Sequence, residues 1–273
     1  MNTKPVRLLF DDSISQLRLK NLHSQLSRYG LYPGEAETDT GPKIALFIQE
    51  SGFSLIDPDL DKRAMVFIDF ASGSANHRRR FGGGKSQTLA KSAGLDQKRG
   101  LTVVDATAGL AGDSFVMACL GANVLMLERN PVLALMIDEA LCSASRKTGD
   151  EELGSIVDRM QLMHVDSIDW LKQQKDESLD IVYLDPMFPE RKKTAAVKKE
   201  MQLLQSLLEN TSIDVSLSAF EESELLGQAR RASRFRTVVK RPRHAPPLAG
   251  EKPGYSLEGK STRYDIYPKR TIS

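Results

Sequence analysis

Asp185, Pro186 and Phe188 form the strongest candidate for a chemical site, because they directly follow the apolar run at 179–184. Such a run is typical of a strand buried on both faces, and proline ends it because proline cannot donate to a sheet ladder. A carboxylate and main-chain carbonyls accept N–H bonds, while an aromatic ring stacks on a base. The three residues therefore predict a site for a planar base with an exocyclic amine, with a plain strand and turn as the alternative.

Three other predicted strands also end in an acidic residue. Asp105 and Glu128 lie at the ends of the strands predicted at 101–106 and 123–128, and Asp166 follows the strand predicted at 160–164. Ligands of doubly wound sheets lie beyond the carboxyl ends of the strands, so we expect these side chains to line one crevice with Asp185. Glu128 follows Asp105 by 23 positions. This is near the offset of about 20 at which an acidic side chain binds ribose hydroxyls in nucleotide-binding folds.

The turn after the first of these strands consists of small residues, among them Gly109 and Gly112, and leads to Asp113. Glycines permit a tight bend, and the amino terminus of the next helix presents free N–H groups. The dinucleotide fingerprint G-x-G-x-x-G is absent, and so many carboxylates would repel a pyrophosphate. A sulfonium on an adenosine suits the crevice better, which predicts S-adenosylmethionine. A purely structural turn is the alternative.

Four acidic residues, three at strand ends and one at the start of the next helix, are expected to contact different parts of the cofactor. Glu128 would bind the ribose and Asp166 the adenine amine, with Asp105 and Asp113 near the amino-acid end. A dehydrogenase is disfavoured because its fingerprint is missing.

The elements that must position these residues alternate between strand and helix from about residue 85. Helices are predicted at 86–93, 113–120, 131–146, 167–173, 197–208 and 223–232, with later strands at 236–240 and 263–267. This alternation implies right-handed crossovers and a mainly parallel sheet, with 263–267 as an antiparallel edge strand. We therefore predict an α/β domain over residues 85–273.

Residues 1–84 lack this alternation and predict a small α+β domain. A strand is expected at 6–10 and a helix at 13–28, which Gly30 would end. A hairpin of strands at 44–48 and 53–56, with a third strand at 65–70, completes the expected sheet.

The composition is that of an ordinary globular protein, with 40% hydrophobic and 27% charged residues in 273. No apolar stretch reaches about 18 residues and the start lacks a signal sequence, so we expect a cytoplasmic protein without a membrane segment. The 2 cysteines and 4 histidines lack metal-ligand spacing, so no metal is expected. The net charge of +2 does not by itself indicate a nucleic-acid partner.

Basic residues nevertheless gather in three places. The clusters are Arg78, Arg79, Arg80 and Lys85; Arg191, Lys192, Lys193, Lys198 and Lys199; and Lys240, Arg241 and Arg243. Two of them follow strand ends at the predicted crevice, which favours a phosphate-binding rim over three solvated faces. The segment ending at Lys85 has a Walker A ending, but Arg79 stands where that motif requires its first glycine, which excludes an ATPase.

Several long motifs stand out between residues 65 and 267, namely ANHRRRFGGG, DATAGLAGDSFVMA, LERNP, YLDPMFP with VKKEM, VVKRPRHAPPLA and RYDIY. Together they resemble the RsmJ family of bacterial 16S rRNA guanine-N2 methyltransferases, and the similarity covers most of residues 65–267. The resemblance implies a class I S-adenosylmethionine-dependent fold. It also implies cofactor contacts at Gly112, Asp113, Glu128, Arg129, Asp166, Ser167 and Asp185. The family commonly has arginine in place of Gly112 and often serine in place of Asp166, whereas Met187 matches the family.

The resemblance implies methyl transfer to a guanine N2 in 16S rRNA of the small ribosomal subunit. As a hypothesis, the Asp185 carboxylate and the Pro186 carbonyl accept the amine hydrogens while Phe188 stacks on the base. Either Asp185 or water takes the released proton. The competing interpretations are an amino methyltransferase acting on another substrate, and a non-catalytic RNA-binding factor for ribosome assembly. The oligomeric state stays open.

Overall fold

The computed structural model describes residues 4–33, 44–58, 65–71, 87–146, 149–186 and 218–272, which divide into two units. Among them, the first unit comprises residues 4–33, 44–58, 65–68 and 130–143. The second comprises residues 69–71, 87–129, 144–146, 149–186 and 218–272. The first unit thus includes a segment from the middle of the chain, so the units are not continuous in sequence.

The first unit contains a four-stranded sheet, a strand pair and helix α1 (Gln16–Arg28). The sheet has the order β2 (Leu8–Phe10), β4 (Ala45–Gln49), β5 (Gly52–Ile56) and β6 (Met65–Phe67), and β1 (Lys4–Val6) pairs with β3 (Leu31–Pro33). The expected hairpin is β4 and β5. The single strand expected at 6–10 is instead two strands, because β1 and β2 pair with different partners, and β3 was not predicted.

Helix α4 (Pro131–Arg146) contributes its residues 131–143 to the first unit and makes polar contacts with α1 there. Glu139 accepts hydrogen bonds from Arg18 (3.1 Å) and Gln25 (2.9 Å), and the Arg18 guanidinium lies 4.7 Å from the centre of the Phe53 ring. The side chains of Arg18 and Glu139 are only 10% and 9% exposed. An ion pair this buried depends on both partners, because either charge left alone would be costly to bury.

The second unit is built on a seven-stranded sheet in the order β12-β13-β11-β10-β7-β8-β9. The strands are β7 (Thr102–Asp105), β8 (Asn123–Glu128), β9 (Met160–His164), β10 (Leu179–Leu184), β11 (Ser233–Pro242), β12 (Tyr255–Glu258) and β13 (Thr262–Pro268). Strands β7 to β11 run parallel, whereas β13 is antiparallel to both of its neighbours. The predicted mainly parallel sheet is confirmed.

The edge of this sheet differs from the prediction. Strand β12 occupies it, and β13 lies between β12 and β11. The residues of β12 are exposed except for half-buried Leu257, so β12 lacks the apolar pattern by which a buried strand is recognised.

The helices of the second unit lie close to their predicted positions. They are α2 (Thr88–Ser92), α3 (Gly112–Cys119), α5 (Glu151–Val157), α6 (Ser167–Lys172) and α7 (Ala219–Ala232). Helix α7 begins four residues before the predicted start because Ser218 and Glu221 form a capping box, and α5 was not predicted. The helix predicted at 197–208 lies outside the described residues.

The sheet packs against α6 and α7 through a buried apolar cluster that includes Val104, Leu184, Leu225 and Val239. From β7 the chain proceeds to β8 and β9 on one side and then to β10 and β11 on the other, so the strand order reverses between β7 and β10. Ligands of open α/β sheets bind beyond the carboxyl ends of the strands at such a reversal. In the part of the chain that the structure describes, no helix is both long and apolar enough to span a membrane.

Candidate active site

The turn between β7 and α3 is held against the end of β8. Gly109 and Ala111 have left-handed φ angles of 56° and 55°, which bend the chain sharply before Gly112 begins the helix. The Gly109 N–H donates to Glu128 Oε2 at 2.8 Å, and the Ala108 N–H donates to the Leu127 carbonyl. The predicted cofactor residues Gly109 and Glu128 are therefore direct neighbours.

Asp105 lies beneath this turn with only 2% of its surface exposed. Ser114 Oγ donates to one of its carboxylate oxygens (2.5 Å) and the Thr107 N–H donates to the other (3.1 Å). Burial raises the pKa of Asp105 to about 7, although the two hydrogen bonds oppose the shift. Because both of its oxygens accept hydrogen bonds from residues around the turn, Asp105 supports the cofactor loop from below. Its direct contact with the cofactor stays a prediction.

Lys240 on β11 joins the ends of two other elements. Its Nζ donates to Asp185 Oδ2 at 2.7 Å and to Asp113 Oδ2 at 2.8 Å. Tyr183 Oη donates to the same oxygen of Asp113 at 2.6 Å, and the Asp185 N–H donates to Thr107 Oγ1 at 2.6 Å. One hydrogen-bonded group thus connects β10, β11, the start of α3 and the turn after β7.

The electrostatics of this group keep Lys240 charged. Burial lowers the pKa of Lys240, but the adjacent Asp113 and Asp185 carboxylates outweigh that effect and leave the pKa raised. Burial raises the pKa of Asp185, and Lys240 counteracts the rise. Burial, followed by the charge of Asp113, raises the pKa of Tyr264 to about 12, so this neighbouring phenol stays neutral.

A second polar group lies at the ends of β8 and β9. Asp166 Oδ1 accepts hydrogen bonds from the Ile168 and Asp169 N–H groups at the start of α6, and Oδ2 lies 3.7 Å from Arg129 Nη1. The Ser167 hydroxyl donates to the Ala106 carbonyl. Arg129, Asp166 and Ser167, which the family resemblance implied as cofactor contacts, are therefore brought together.

Two predicted RNA contacts are already engaged by other parts of the protein. Lys240 lies between two carboxylates, and Arg241 is only 2% exposed, with its Nε donating to the Pro246 carbonyl at 3.1 Å. Successive residues of a strand point to opposite faces, so the two side chains reach different partners. The expectation that these two residues belong to an exposed phosphate-binding rim therefore differs from what the structure shows.

Other predicted residues lie at or beyond the limits of the described chain. Strand β10 ends at Leu184, directly before Asp185, and buried Pro186 follows. Outside the described residues lie Phe188, Arg78, Arg79, Arg80, Lys85, Arg191, Lys192, Lys193, Lys198 and Lys199.

Sequence reasoning missed two residues of this group. Tyr183 donates a hydrogen bond to Asp113, and Thr107 accepts one from the Asp185 N–H. Tyr183 stands two residues before Asp185, and strand periodicity places both on one face, so this signal was available. Nothing local marks Thr107, because its role depends on the pairing of β7 with β10.

Known proteins resemble this chain over nearly its whole length. A family model described as "Putative SAM-dependent methyltransferase" matches residues 28–269. Ribosomal RNA small subunit methyltransferase J of Pseudomonas syringae pv. syringae is 40% identical, covering 94% of this chain and 93% of the relative. The enzyme of that name from Stutzerimonas stutzeri is 42% identical, covering 90% and 89%. The crystal structure of a SAM-dependent methyltransferase from Neisseria gonorrhoeae covers 98% of both chains, with 30% identity and a TM-score of 0.70.

Together, the fold and the family match define a class I S-adenosylmethionine-dependent methyltransferase. Within that class, the chain belongs to the ribosomal RNA small subunit methyltransferase J family. This match confirms the family that the motifs indicated, and it confirms S-adenosylmethionine as the cofactor. Among the residues that the structure describes, no cluster of histidine, cysteine and acidic side chains could hold a metal ion.

Proposed function

We propose that this chain methylates the exocyclic N2 amine of a guanosine in 16S rRNA. The observation that carries the proposal is the position of Asp185, which directly follows β10 at the reversal of strand order and is held by Lys240 and Thr107. The names of the relatives support a small-subunit RNA substrate. A small-subunit substrate in turn favours action in the cytoplasm, with that subunit as the partner.

The donor set at this edge of the sheet fits S-adenosylmethionine. Asp113 and Asp185 share one cation, Lys240, so these three groups carry one net negative charge. Carboxylates that bind an ammonium group are suited to another cationic group at the same place. When bound, S-adenosylmethionine supplies the electrophilic methyl group and the positive charge that these carboxylates complement.

The remaining cofactor contacts follow from the two polar groups described above. Glu128 is proposed to bind the ribose, since it stands beside the Gly109 turn at the end of β8. Asp166 and Ser167, next to Arg129, are proposed to bind the adenine. Gly112 and Asp113 would lie at the amino-acid end.

The chain's own residues act mainly by placing the amine. The lone pair of guanine N2 is delocalised into the ring, so the reaction depends on holding the nitrogen in line with the methyl group. Orientation of this kind supplies effective molarities of roughly 10⁵ to 10⁸ M in favourable cases. The Asp185 carboxylate and the Pro186 carbonyl are proposed to accept the amine hydrogens, and Phe188 to stack on the base.

The RNA surface is proposed from sequence. Arg78, Arg79, Arg80 and Lys85 form one phosphate-binding cluster, and Arg191, Lys192, Lys193, Lys198 and Lys199 form another. We leave Lys240 and Arg241 out of this surface because both side chains are engaged inside the protein.

Methylation of unmodified 16S rRNA by the purified chain tests the function. Nuclease digestion and mass spectrometry should detect N2-methylguanosine at one position, and Asp185→Ala should lose most of the turnover even at saturating S-adenosylmethionine. A methyl group on a base other than guanine would contradict the proposal. So would the absence of methylation on both naked 16S rRNA and assembled small subunits. Near-normal turnover by Asp185→Ala would contradict the role of Asp185.

A further inference from the structure

The position of Lys240 is set by the sheet on both sides. In the parallel pair β10 and β11, Leu184 stands opposite Val239, so Asp185, which directly follows β10, lies beside Lys240 of β11. In the antiparallel pair β11 and β13, Lys240 stands opposite Tyr264. The lysine is thereby held beside the carboxylate to which the proposed function assigns the substrate amine.

We propose that Lys240 is a positioning residue for methyl transfer, which orients the Asp185 carboxylate and keeps it able to accept the amine hydrogen. This inference rests on the proposed function. Lys240 engages Asp185 Oδ2, so the acceptor role falls to Oδ1. The bond from Lys240 to Asp113 and the bond from the Asp185 N–H to Thr107 anchor this arrangement at two further points.

The geometry opposes the alternative that Lys240 binds an RNA phosphate. Its side chain is 22% exposed, and its ammonium group already donates to two carboxylates. A phosphate at this place would meet the negative charges of Asp113 and Asp185, so Lys240 would first have to leave both.

Removal of Lys240 should change how Asp185 responds to pH. The titratable groups that interact electrostatically with Asp185 are Asp105 on β7, Asp113 on α3, Tyr183 on β10, Lys240 and Arg241 on β11, and Tyr264 on β13. Among them, the two basic groups lower the pKa of Asp185, whereas burial and Asp113 raise it. Without Lys240, Asp185 takes up a proton at higher pH, and a protonated carboxyl has lost part of its capacity to accept hydrogen bonds.

The test compares Lys240→Met, Lys240→Gln and Lys240→Arg with wild type in single-turnover methylation of unmodified 16S rRNA across a pH series. The two uncharged variants should slow turnover on the order of 10- to 100-fold. They should also move the acid limb of the rate profile to higher pH, with little change in the KM for RNA. Lys240→Arg should return the acid limb toward its wild-type position. Lys172→Met, which removes an exposed lysine paired with Glu224, is the matched control and should behave like wild type.

Two kinds of outcome with active wild-type enzyme would overturn the inference alone. One is a raised KM for RNA with unchanged turnover and a salt dependence of binding weaker by about one phosphate contact, as a phosphate ligand would show. The other kind is a methylation rate that does not change, or that falls by the same factor at every pH, in variants that retain the native circular dichroism spectrum and bind S-adenosylmethionine. Wild-type enzyme that makes no N2-methylguanosine would instead overturn the proposed function, and this inference with it.

Discussion

Tyr183 on β10 donates a hydrogen bond of 2.6 Å to Asp113 in the first turn of α3. The tyrosine is fully buried, and the same carboxylate oxygen accepts from Lys240. Two donors on different strands therefore fix the orientation of a residue proposed to lie at the amino-acid end of the cofactor. The cofactor site depends on β10 and β11 as well as on the turn after β7.

Tyr183→Phe should weaken S-adenosylmethionine binding several-fold, because Asp113 loses one of the donors that orient it. A hydrogen bond to a charged group contributes about 1.5–3 kcal/mol, so the free energy of unfolding should fall by a similar amount. Titration calorimetry and chemical denaturation measure the two effects. Tyr267→Phe is the matched control, because it removes a 2.8 Å bond to the Glu251 carbonyl and should lower stability without changing cofactor affinity. Equal cofactor affinity in Tyr183→Phe and wild type would contradict the role of Asp113.

Glu128→Gln should weaken S-adenosylmethionine binding by about tenfold while preserving the turn. The amide oxygen can still accept the Gly109 N–H bond, but the charge-assisted bonds proposed for the ribose hydroxyls are lost. Calorimetry measures the affinity, and Glu258→Gln, an exposed residue paired with Arg243, is the control. If both variants bound the cofactor as wild type does, the ribose would have to be held elsewhere.

Asp105→Asn should become more stable relative to wild type as the pH rises from about 5 to about 8. The folded pKa of Asp105, about 7, lies above its ordinary value of 3.8, so the folded state binds the proton more tightly. The free energy of unfolding of the wild-type protein therefore decreases as the pH rises from the lower of these pKa values to the higher, by at most roughly 1.4 kcal/mol per pH unit. The Asp105→Asn variant lacks this dependence. Urea denaturation of both proteins across this range measures the difference. A difference independent of pH would show that Asp105 titrates in its ordinary range.

Glu139→Ala should destabilise the first unit by about 3–5 kcal/mol, because it leaves the Arg18 charge buried without its partner. Asp138→Ala, one residue earlier on α4, removes the more exposed pair with Arg28 and the hydrogen bond with Tyr29, and should cost less, roughly 2 kcal/mol. Chemical denaturation monitored by circular dichroism compares the two variants. Equal losses would mean that burial of the Arg18 and Glu139 pair does not matter to the fold.

Local pattern was sufficient for most of the sheet and for the acidic residues at its edge. The apolar run of β10 ends where Pro186 prevents further pairing, and helix α4 has the predicted bounds because Pro131 begins it and Asn130 caps it. Periodicity and capping act over a few residues, so one stretch of sequence reports them. The same signals missed β12, whose exposed residues carry no apolar pattern.

Only the tertiary structure decided what the charged residues do. Lys240 and Arg241 belong to one basic cluster in the sequence, yet pairing of β11 with β10 and β13 brings Lys240 to Asp185 and Asp113, and packing buries Arg241. Likewise, Glu139 faces the buried Arg18 from far along the chain. A charge has the same appearance in sequence whether solvent or a carboxylate surrounds it, because its partner is set by strand register and packing between distant segments.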